Sequence, residues 1–541
     1  MLMESAKEYR ALRAPAGDGE TLIDPPWSEL SDVVARNVEE FARVQYDVQG
    51  RSLGDLSGTA RRGLLDKALR YTRQYRDVPE RWQSDAVVAS EPFVLSGHQP
   101  ELFHPGVWYK NFVLGALAKK LDGIGIHLLI DSDTCRGASI RVPTGSISKP
   151  RSEAVLYDEP TAEVPHEERT IHDATTFSTF GERAASLVRP LVADPMVGQL
   201  WRLVMERNPS QQNLGLRLAQ GRHALEESWR NETLELPQSM VCELPEFGWF
   251  VAHVLANLPR FWAAYNDALA QYRRAHHIRG HAQPVPDLDA RDGWLEAPFW
   301  IWSSDDPQRR PLFARQSSDE IVITDRRTNL VSLSLTDDGD AAEAAEQVTG
   351  LASRGIKLRT RALTTTLFAR LLLSDLFLHG IGGARYDQVT DEIVRQFFGF
   401  EPPAFAAVSA TLRLPIACEP GKSTDVGQWQ HQLRELQFHP ERYIELNGDD
   451  TDPVAVAKFV AVKRRWVATP KTPENASERH RAIVAANEGL QPFVAPVRRR
   501  IERERDEVYE QKRSEAILGS REYSFCLYPR QHFEKLISDL R

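Results

Sequence analysis

The stretch PFVLSGHQPELFHPGVWYKNFVLGALAKKLDGIGIHLLIDSD, residues 92–133, decides the fold. It opens with a short apolar run that ends at Gly97, and a loop rich in His and Pro leads from this run into a helical pattern of apolar residues. After Gly123 and Gly125 a second apolar run ends at Asp131, as expected for a buried parallel strand. The order strand, loop, helix, strand predicts an α/β protein with a parallel sheet.

The rest of the sequence adds further helices and strands to this unit. Helical spacing of apolar residues predicts helices before residue 90 and between residues 195 and 279, and alternation predicts strands from Trp294 onward. The predicted segments are a helical N-terminal segment of the core (1–90), the first part of the core with decorating short strands (91–195), a helical insertion (196–290), the second part of the core with a glycine-turn motif (291–470), and a charged helical arm of coiled-coil character with a C-terminal return segment (471–541).

The composition of the 541 residues excludes several classes of protein. Hydrophobic residues make up 42% and charged residues 26%, as in ordinary globular proteins, and the net charge of -9 provides no basic field for nucleic acid or an anionic membrane. The four cysteines have no metal-binding spacing, the N-terminal stretch lacks the apolar region of a secretion signal, and Arg370 and Asp375 interrupt the most apolar stretch. We therefore expect a reduced, cytoplasmic protein that binds a small molecule but neither nucleic acid nor a membrane.

The loop after the first predicted strand is a candidate binding site. Gly97, His98 and Gln99 follow the strand, and His104 precedes the helix that carries Lys110. Open α/β sheets bind ligands at the carboxyl ends of their strands, and a helix N-terminus attracts phosphate or carboxylate. These residues therefore favour a phosphorylated or acidic substrate. The alternative is that His98 and Gln99 cap backbone groups of a tight turn.

Two carboxylates end the second predicted strand. Asp131 and Asp133 point the same way in an extended segment and are expected to face the same crevice as His98. They could position or deprotonate an amine, share a Mg²⁺ ion, or simply cap the next turn. A zinc site formed with His98 and His104 matches no known ligand spacing, so no metal is predicted.

A second segment that could line the binding site is the glycine-rich stretch HGIGGARYDQVTDE, residues 379–392. We expect a turn between two helices here. The segment lacks the spacing of a Walker A loop and is not expected to follow a strand, so a phosphate-binding loop is not predicted. No nucleophile elbow occurs in the sequence. A glycine-rich helix cap is the alternative interpretation. The residues expected to contact substrate here are Gly382, Gly383, Arg385, Tyr386 and Asp387, with Arg385 suited to a carboxylate.

These motifs, in this order, resemble those of the bacillithiol biosynthesis cysteine-adding enzymes, also described as cysteine ligases. In that family a strand leads to a Gly-Gln-Gln loop, a helix with Tyr and Lys, and a strand that ends in an acidic cluster; a later turn reads Gly-Gly-Pro-Gly-Glu. The corresponding residues here are Gly97, His98, Gln99, Lys110, Asp131 and Asp133. This sequence departs from the family at His98, at the shortened Asp-Ser-Asp cluster, and at Ala384, Arg385 and Tyr386, which leave Asp387 one position away from the family's glutamate.

The resemblance implies a Rossmann-like core akin to class I nucleotidylyltransferases, a helical arm that forms a homodimer, and a reaction that joins cysteine to the amine of glucosaminyl malate. The resulting assignment makes His98, Asp131 and Asp133 catalytic and the other named residues substrate-binding. Because a free carboxylate must be activated before it forms an amide, ATP is the expected cofactor. The alternatives are a non-catalytic metabolite-binding or assembly protein, and a nucleotidylyltransferase, although His98 and His104 are farther apart than the histidine pair of that class.

Overall fold

The computed structural model describes residues 9–83, 91–280, 282–317, 320–327, 330–335, 339–417, 426–444 and 452–540. The chain forms two compact units. The first unit consists of Met1–Thr144, Ser152–Pro415 and Arg521–Arg541, and the second consists of Gly145–Arg151 and Ile416–Ser520. Among the described helices, none has both the length and the apolar character needed to cross a bilayer.

The strands, in chain order, are β1 Thr21–Asp24, β2 Phe93–His98, β3 Ile124–Leu129, β4 Thr134–Cys135, β5 Ser139–Ser146, β6 Lys149–Leu156, β7 Val164–Pro165, β8 Leu234–Pro237, β9 Ala290–Arg291, β10 Trp294–Ser303, β11 Asp306–Gln316, β12 Ile321–Thr324, β13 Leu330–Leu333, β14 Ile356–Thr360, β15 Leu376–His379 and β16 Ala406–Ala410.

The α-helices are α1 Leu30–Phe41, α2 Leu53–Thr72, α3 Pro105–Lys120, α4 Ala174–Val188, α5 Val197–Glu206, α6 Leu214–Glu227, α7 Gln238–Val241, α8 Pro245–Ala256, α9 Leu258–Ala275, α10 Ala342–Gly350, α11 Ala362–Phe368, α12 Ile381–Ile393, α13 Val426–Phe438, α14 Pro453–Ala468, α15 Ala476–Leu518 and α16 Arg530–Ile537. Two π-helical segments, Ala369–Leu373 and Val394–Phe398, directly follow α11 and α12.

The main sheet of the first unit confirms the α/β class and the parallel strand pair. Its six strands lie in the order β1-β16-β15-β2-β3-β8. The pairs β16–β15, β15–β2, β2–β3 and β3–β8 are parallel, whereas β1 runs antiparallel to β16 at the edge. The sheet is therefore mixed, with five parallel strands.

The order in which the chain adds strands to the sheet changes sides at its centre, between the parallel neighbours β2 and β15. From β2 the chain moves outward through β3 to β8, and after a long excursion it returns to β15, on the other side of β2, and moves outward to β16. β2 and β15 are neighbours, and the loops that follow them therefore lead away from each other. Such a switch point opens a crevice at the carboxyl ends of the strands, where ligands of open α/β sheets bind.

Several elements differ from the sequence-based expectations. The glycine-rich segment does not connect two helices, because β15 lies between the π-helical segment Ala369–Leu373 and α12. Strands β1 and β8 occur in stretches expected to be helical, and α4 occurs where short strands and loops were expected. These strands are only four residues long, which is too short for a periodic pattern to identify them.

A second sheet in the first unit has the order β13-β12-β11-β10-β14, and β9 also pairs with β10. Its neighbouring strands are all antiparallel. This sheet confirms the strands predicted from Trp294 onward. Alternate residues of β10, such as Phe299 and Ile301, are fully buried and join the main hydrophobic core.

Helix α3 is anchored by aromatic side chains from the end of the first unit. Trp108 stacks on Phe533 of α16 with ring centroids 4.2 Å apart, and its ring centroid lies 4.3 Å from that of Phe525. The indole N–H of Trp108 donates to Glu226 of α6 at 2.7 Å. Aromatic packing of this kind fixes both the depth and the direction of α3 against the sheet.

In the described residues of the second unit, the α-helices are α13, α14 and α15. A small apolar cluster lies between α13 and α15, and it includes Trp429, Leu436, Val494 and Ile501. The long α15 confirms the helix predicted from the charged C-terminal stretch.

Candidate functional site

A cavity of about 770 Å³ lies in the first unit, at the carboxyl ends of β2 and β15. This volume is in the range of small-molecule sites in proteins. Its wall includes the loop between β2 and α3, the first part of α3, the loop after β3 and the end of β16. The second sheet, the start of α11, the first turn of α12 and the return segment after Ile416–Ser520 also contribute to it. The predicted site residues on the wall are Gly97, His98, Gln99, His104, Lys110, Asp133, Gly382, Gly383, Arg385 and Tyr386.

His98 ends β2 and faces the cavity. Its Nδ1 lies 3.2 Å from the backbone oxygen of Gln99, and its ring packs edge-on against Phe103. Burial, together with the positive charge of Lys110, lowers the pKa of His98 to about 4. The imidazole is therefore neutral at physiological pH and can donate or accept a hydrogen bond without carrying charge.

His104 caps the N-terminus of α3. It occupies the N-cap position, Pro105 is the first helical residue, and the Nδ1 of His104 accepts a hydrogen bond from the N–H of Gly106 at 3.1 Å. Gly106 has no room for a side chain, since a Cβ there would lie 2.2 Å from the carbonyl oxygen of Ala410. The start of α3 is thereby held against β16 at the edge of the cavity.

Lys110 is buried, with 2% of its surface exposed, and it also lines the cavity. Its ammonium donates to the backbone oxygen of Gly97 at 2.5 Å, and no carboxylate in the described parts of the chain forms an ion pair with it. Burial, followed by the charge of Arg222, lowers the pKa of Lys110 to about 7. A buried ammonium without an anionic partner is costly, so this residue is suited to receive an anion.

Asp133 joins the first loop to the second sheet. One of its oxygens accepts from the Gln99 amide at 2.8 Å, and the other lies 2.9 Å from the guanidinium of Arg309 on β11. Burial opposes ionisation, but these two partners lower the pKa of Asp133 below its ordinary value. The carboxylate is therefore charged and positions Gln99 and Arg309 at the cavity wall.

Asp131 does not line the cavity, although the sequence predicted it to face the crevice with His98. It accepts hydrogen bonds from the backbone N–H of Ser239 at 2.8 Å and from the Ser239 hydroxyl at 2.5 Å, at the start of α7. Burial, followed by the charge of Glu167, raises the pKa of Asp131 to about 7. The Asp131 carboxylate therefore neither faces the crevice nor caps the next turn of the chain; its partner Ser239 lies 108 residues farther along the sequence.

The glycine turn contributes backbone and only part of its predicted side chains. Gly382, Gly383 and Tyr386 border the cavity, and burial raises the pKa of Tyr386 to about 12. The guanidinium of Arg385 donates twice to the backbone oxygen of Leu12, at 2.9 and 2.8 Å, so its hydrogen bonds are directed at the N-terminal segment. Asp387 is completely buried and lies behind the wall rather than on it.

Asp387 instead holds a histidine that the sequence analysis missed. Its Oδ2 accepts a hydrogen bond from Nε2 of His379 at 2.9 Å, and it also pairs with Arg370 at 2.7 Å. His379 ends β15 and lines the cavity. His379 is the first residue of the glycine-rich segment. Its position at the end of a strand beside the cavity could not be inferred from the sequence, because that segment was expected to be a turn between two helices.

Arginines from distant parts of the chain complete the wall. Arg309 and Arg361 both lie over the ring of Trp300, at 4.9 and 4.2 Å from its centroid, and Arg521 donates to Thr411 at 2.7 Å. Among the residues that the structure describes, five lysine and arginine side chains and two carboxylates, those of Asp133 and Glu522, line the cavity. This excess of positive charge favours an anionic ligand. No sequence motif marks these arginines, because they are brought together only by the fold.

The described residues contain no group of three or more His, Cys, Asp and Glu side chains placed to hold a metal ion. Three of the four cysteines, Cys135, Cys242 and Cys526, are buried and free, whereas Cys418 lies outside the described residues. No protein-family model matches the sequence, and no curated protein matches it either.

Proposed function

We propose that this protein is a ligase that forms a C–N bond between two small carboxylate-bearing substrates, as in the joining of cysteine to glucosaminyl malate. The observation that carries the proposal is the cation-rich cavity at the switch point of the sheet, with the buried Lys110 directed at it without an acidic partner. Both proposed substrates carry carboxylates, which are the natural partners of lysine and arginine side chains in such a cavity.

A Rossmann-like core of the nucleotidylyltransferase kind is part of this proposal. Numbered by their order in the chain, the five parallel strands lie as 3-2-1-4-5, which matches the first five strands of the Rossmann arrangement. The loop after the first of these strands leads into α3, whose N-terminus borders the cavity. This arrangement supports the binding of a phosphorylated group beside that helix.

The residues divide into two proposed binding regions. Lys110, His98 and the N-terminus of α3 would receive the phosphates of ATP, which activates a carboxylate for amide formation. Arg309 and Arg361, which both lie over the ring of Trp300 at the cavity wall, would receive substrate carboxylates. Arg309, Arg361 and Arg385 all have partners within the protein. Arg309 pairs with Asp133 at 2.9 Å and Arg361 with Glu296 at 2.6 Å, and the Arg385 guanidinium is hydrogen-bonded to Leu12. A substrate carboxylate would share these guanidinium groups with their partners.

The proposal is tested by incubating the purified protein with cysteine and glucosaminyl malate, with and without ATP, and by analysing the mixture by mass spectrometry. We expect a new species with the summed mass of the substrates less one water, and we expect it only with ATP. Lys110→Met should lower its rate of formation at least tenfold. Lys119→Met, which alters an exposed lysine on the same helix, is the matched control.

Absence of the product in a folded protein would remove these substrates from the proposal. A thermal-shift series with ATP, pyrophosphate, amino acids and sugar phosphates would then separate a binding protein, which is stabilised by a ligand without consuming it, from an enzyme with other substrates.

A second candidate function, assembly through the second unit, is favoured by a separate observation. Seven of the ten large apolar side chains that are exposed in the described part of the chain belong to that unit: Ile147, Phe438, Val454, Val462, Val467, Val484 and Tyr509. Exposed apolar residues concentrated in this way are typical of interaction surfaces. We propose that the second unit forms a homodimer.

A further inference from the structure

We propose that His379 is the general base of the cavity and that Asp387 is the residue that positions it. His379 lines the cavity, and its Nε2 lies 2.9 Å from a carboxylate that is itself completely buried. A buried carboxylate that orients a histidine and leaves the other ring nitrogen free is the arrangement by which hydrolases prepare a general base.

The carboxylate of Asp387 is fixed by three neighbours. Arg370 donates to its Oδ2, and the Thr366 hydroxyl donates to its Oδ1. Burial alone would raise the pKa of Asp387, but the charge of Arg370 and the hydrogen bonds from His379 and Thr366 hold it well below its usual range. Since Asp387 can only accept a hydrogen bond in its ionised form, the proton of the neutral imidazole must reside on Nε2.

Nδ1 of His379 is therefore the nitrogen with the free lone pair. In the described parts of the chain it has no hydrogen-bond partner, and it lies beside Gly383, where a Cβ would come within 2.7 Å of it. Gly380 and Gly383 line the cavity together with His379. The absence of side chains at these glycines leaves space for a substrate atom to approach the imidazole.

The charged groups that face His379 from the elements packed against it are Asp387 on α12, Arg370 in the π-helical segment after α11, and Lys110 on α3. The rings of Phe377 and Phe405 pack on the imidazole at 4.6 and 5.2 Å. Burial lowers the pKa of His379, and Arg370 and Lys110 act in the same direction against the opposing charge of Asp387. At neutral pH the imidazole is thus in the form that can accept a proton.

The other two histidines of the wall lack this arrangement. Nδ1 of His98 contacts the backbone oxygen of Gln99, and Nδ1 of His104 accepts from the N–H of Gly106. In the part of the chain that the structure describes, neither ring is hydrogen-bonded to a carboxylate; the nearest ion pair, His104 with Glu522, has a separation of 3.9 Å. The geometry therefore selects His379.

The chemical step rests on the proposed function for its substrate. The amine nitrogen forms a bond to the carbonyl carbon of an acyl group activated by ATP, and Nδ1 of His379 takes the proton that the nitrogen loses. The phosphate-containing leaving group departs with the electron pair of its bond to the carbonyl carbon. The imidazolium, stabilised by Asp387, then returns its proton to water.

The test uses diethyl pyrocarbonate, which transfers an ethoxycarbonyl group to unprotonated imidazole nitrogens, followed by peptide mass spectrometry of the full-length protein. We expect His379 to be modified at neutral pH. Asp387→Asn should slow that modification about tenfold or more, because the asparagine amide can donate to Nε2 and so shift the proton to Nδ1. His98 and His104 are internal references, since they share the cavity but have no contact with Asp387.

Two further variants separate positioning from folding. Asp387 also neutralises Arg370, so circular dichroism and the melting temperature are measured for Asp387→Asn to check its folding. Asp387→Glu restores the negative charge and should recover part of the rate at which His379 is modified. His379→Gln leaves the Asp387–Arg370 ion pair intact. In the ligation assay, His379→Gln should lower kcat at least a hundredfold with little change in KM.

The outcomes distinguish this inference from the proposed function. Lack of modification at His379 in a folded wild-type protein whose His98 or His104 reacts would overturn the general base, whatever the ligation assay shows. An unchanged rate of modification in Asp387→Asn would overturn the positioning role. Modification as expected without any ligation product would retain the base and reject the substrates.

Discussion

Lys110 and Asp131 are both completely buried ionisable residues, and the pKa of each lies near 7. Only Lys110 faces the cavity, whereas Asp131 is hydrogen-bonded to Ser239 at the start of α7. The sequence predicts that both lie beside the same crevice, because Asp131 follows β3 and Lys110 lies on the helix between β2 and β3. What it cannot show is which way a side chain at a strand end turns, since this is decided by its neighbours in space.

We predict that Lys110→Met stabilises the protein most at low pH. The folded state lowers the pKa of Lys110 from 10.5 to about 7, so the unfolded chain binds more protons between these values and wild-type stability rises with pH across that window. Below about pH 7 the wild-type protein carries the full cost of the buried ammonium. Urea unfolding at several pH values should show an advantage of several kcal/mol for the variant at pH 6 that shrinks toward pH 10, with Lys119→Met close to wild type throughout.

Asp131→Asn should leave ligand binding intact and change the pH dependence in the opposite direction. The folded state raises the pKa of Asp131 from 3.8 to about 7, so ionisation of this residue costs wild-type stability as the pH rises through that range. The asparagine cannot ionise and should therefore gain on wild type between pH 4 and pH 8. Thermal shifts with pyrophosphate should be unchanged in Asp131→Asn and larger in Asp133→Asn, because loss of the Asp133 charge leaves the positive charge of Arg309 unpaired in the cavity. Equal effects of the two variants would contradict the placement of Asp131.

At the scale of elements, β2, α3 and β3 could be predicted because each shows a pattern of sufficient length. Strand β15 could not, since the run from Leu371 to Leu378 is almost continuously apolar and its periodicity cannot separate a buried helix from a buried strand. The chain passes from the helical segment to β15 at Asp375. The carboxylate of Asp375 accepts a hydrogen bond from the N–H of Phe93 at 2.8 Å and pairs with Arg61. Both partners are about 280 or more residues away along the chain, which is why local pattern gave no indication of the strand.

The first turn of α12 provides a matched pair of glycines. A Cβ at Gly383 would lie 2.7 Å from Nδ1 of His379, whereas a Cβ at Gly382 meets nothing within 4 Å. Gly383→Ala should displace the imidazole and slow its reaction with diethyl pyrocarbonate about tenfold, while Gly382→Ala should react like wild type. Since alanine favours a helix over glycine, neither variant should melt much below wild type. Equal rates in the two variants would show that His379 is not confined by this turn.

At the scale of the whole molecule, the candidate site is built from segments that span most of the sequence. The loop motif and the glycine turn could be found by inspection, but Arg309, Arg361 and Arg521 come from β11, the end of β14 and the return segment. Their positions depend on the order of strands and on the placement of a whole second sheet. The sequence therefore predicted the location of the cavity better than the side chains that give it its charge.

Self-association should depend on the second unit. We predict that the protein sediments as a dimer and that Val462→Lys combined with Val467→Lys shifts it toward the monomer, because these side chains are 40% and 55% exposed on α14. Val38→Lys, at a position 45% exposed in the first unit, is the matched control and should sediment like wild type. Sedimentation velocity over a range of concentrations measures the effect. A wild-type protein that is monomeric at all concentrations would reject the homodimer.

The chain leaves the first unit at Pro415 and re-enters it at Arg521. During synthesis on a ribosome, the α3 surface around Trp108 must therefore wait for Phe525 and Phe533 until the entire second unit has been translated. A nascent chain at that stage exposes an aromatic surface that becomes covered only later, which is the kind of surface that chaperones recognise. Since Arg521 arrives with the same segment, the covering of this surface and the completion of the cavity belong to one late folding event.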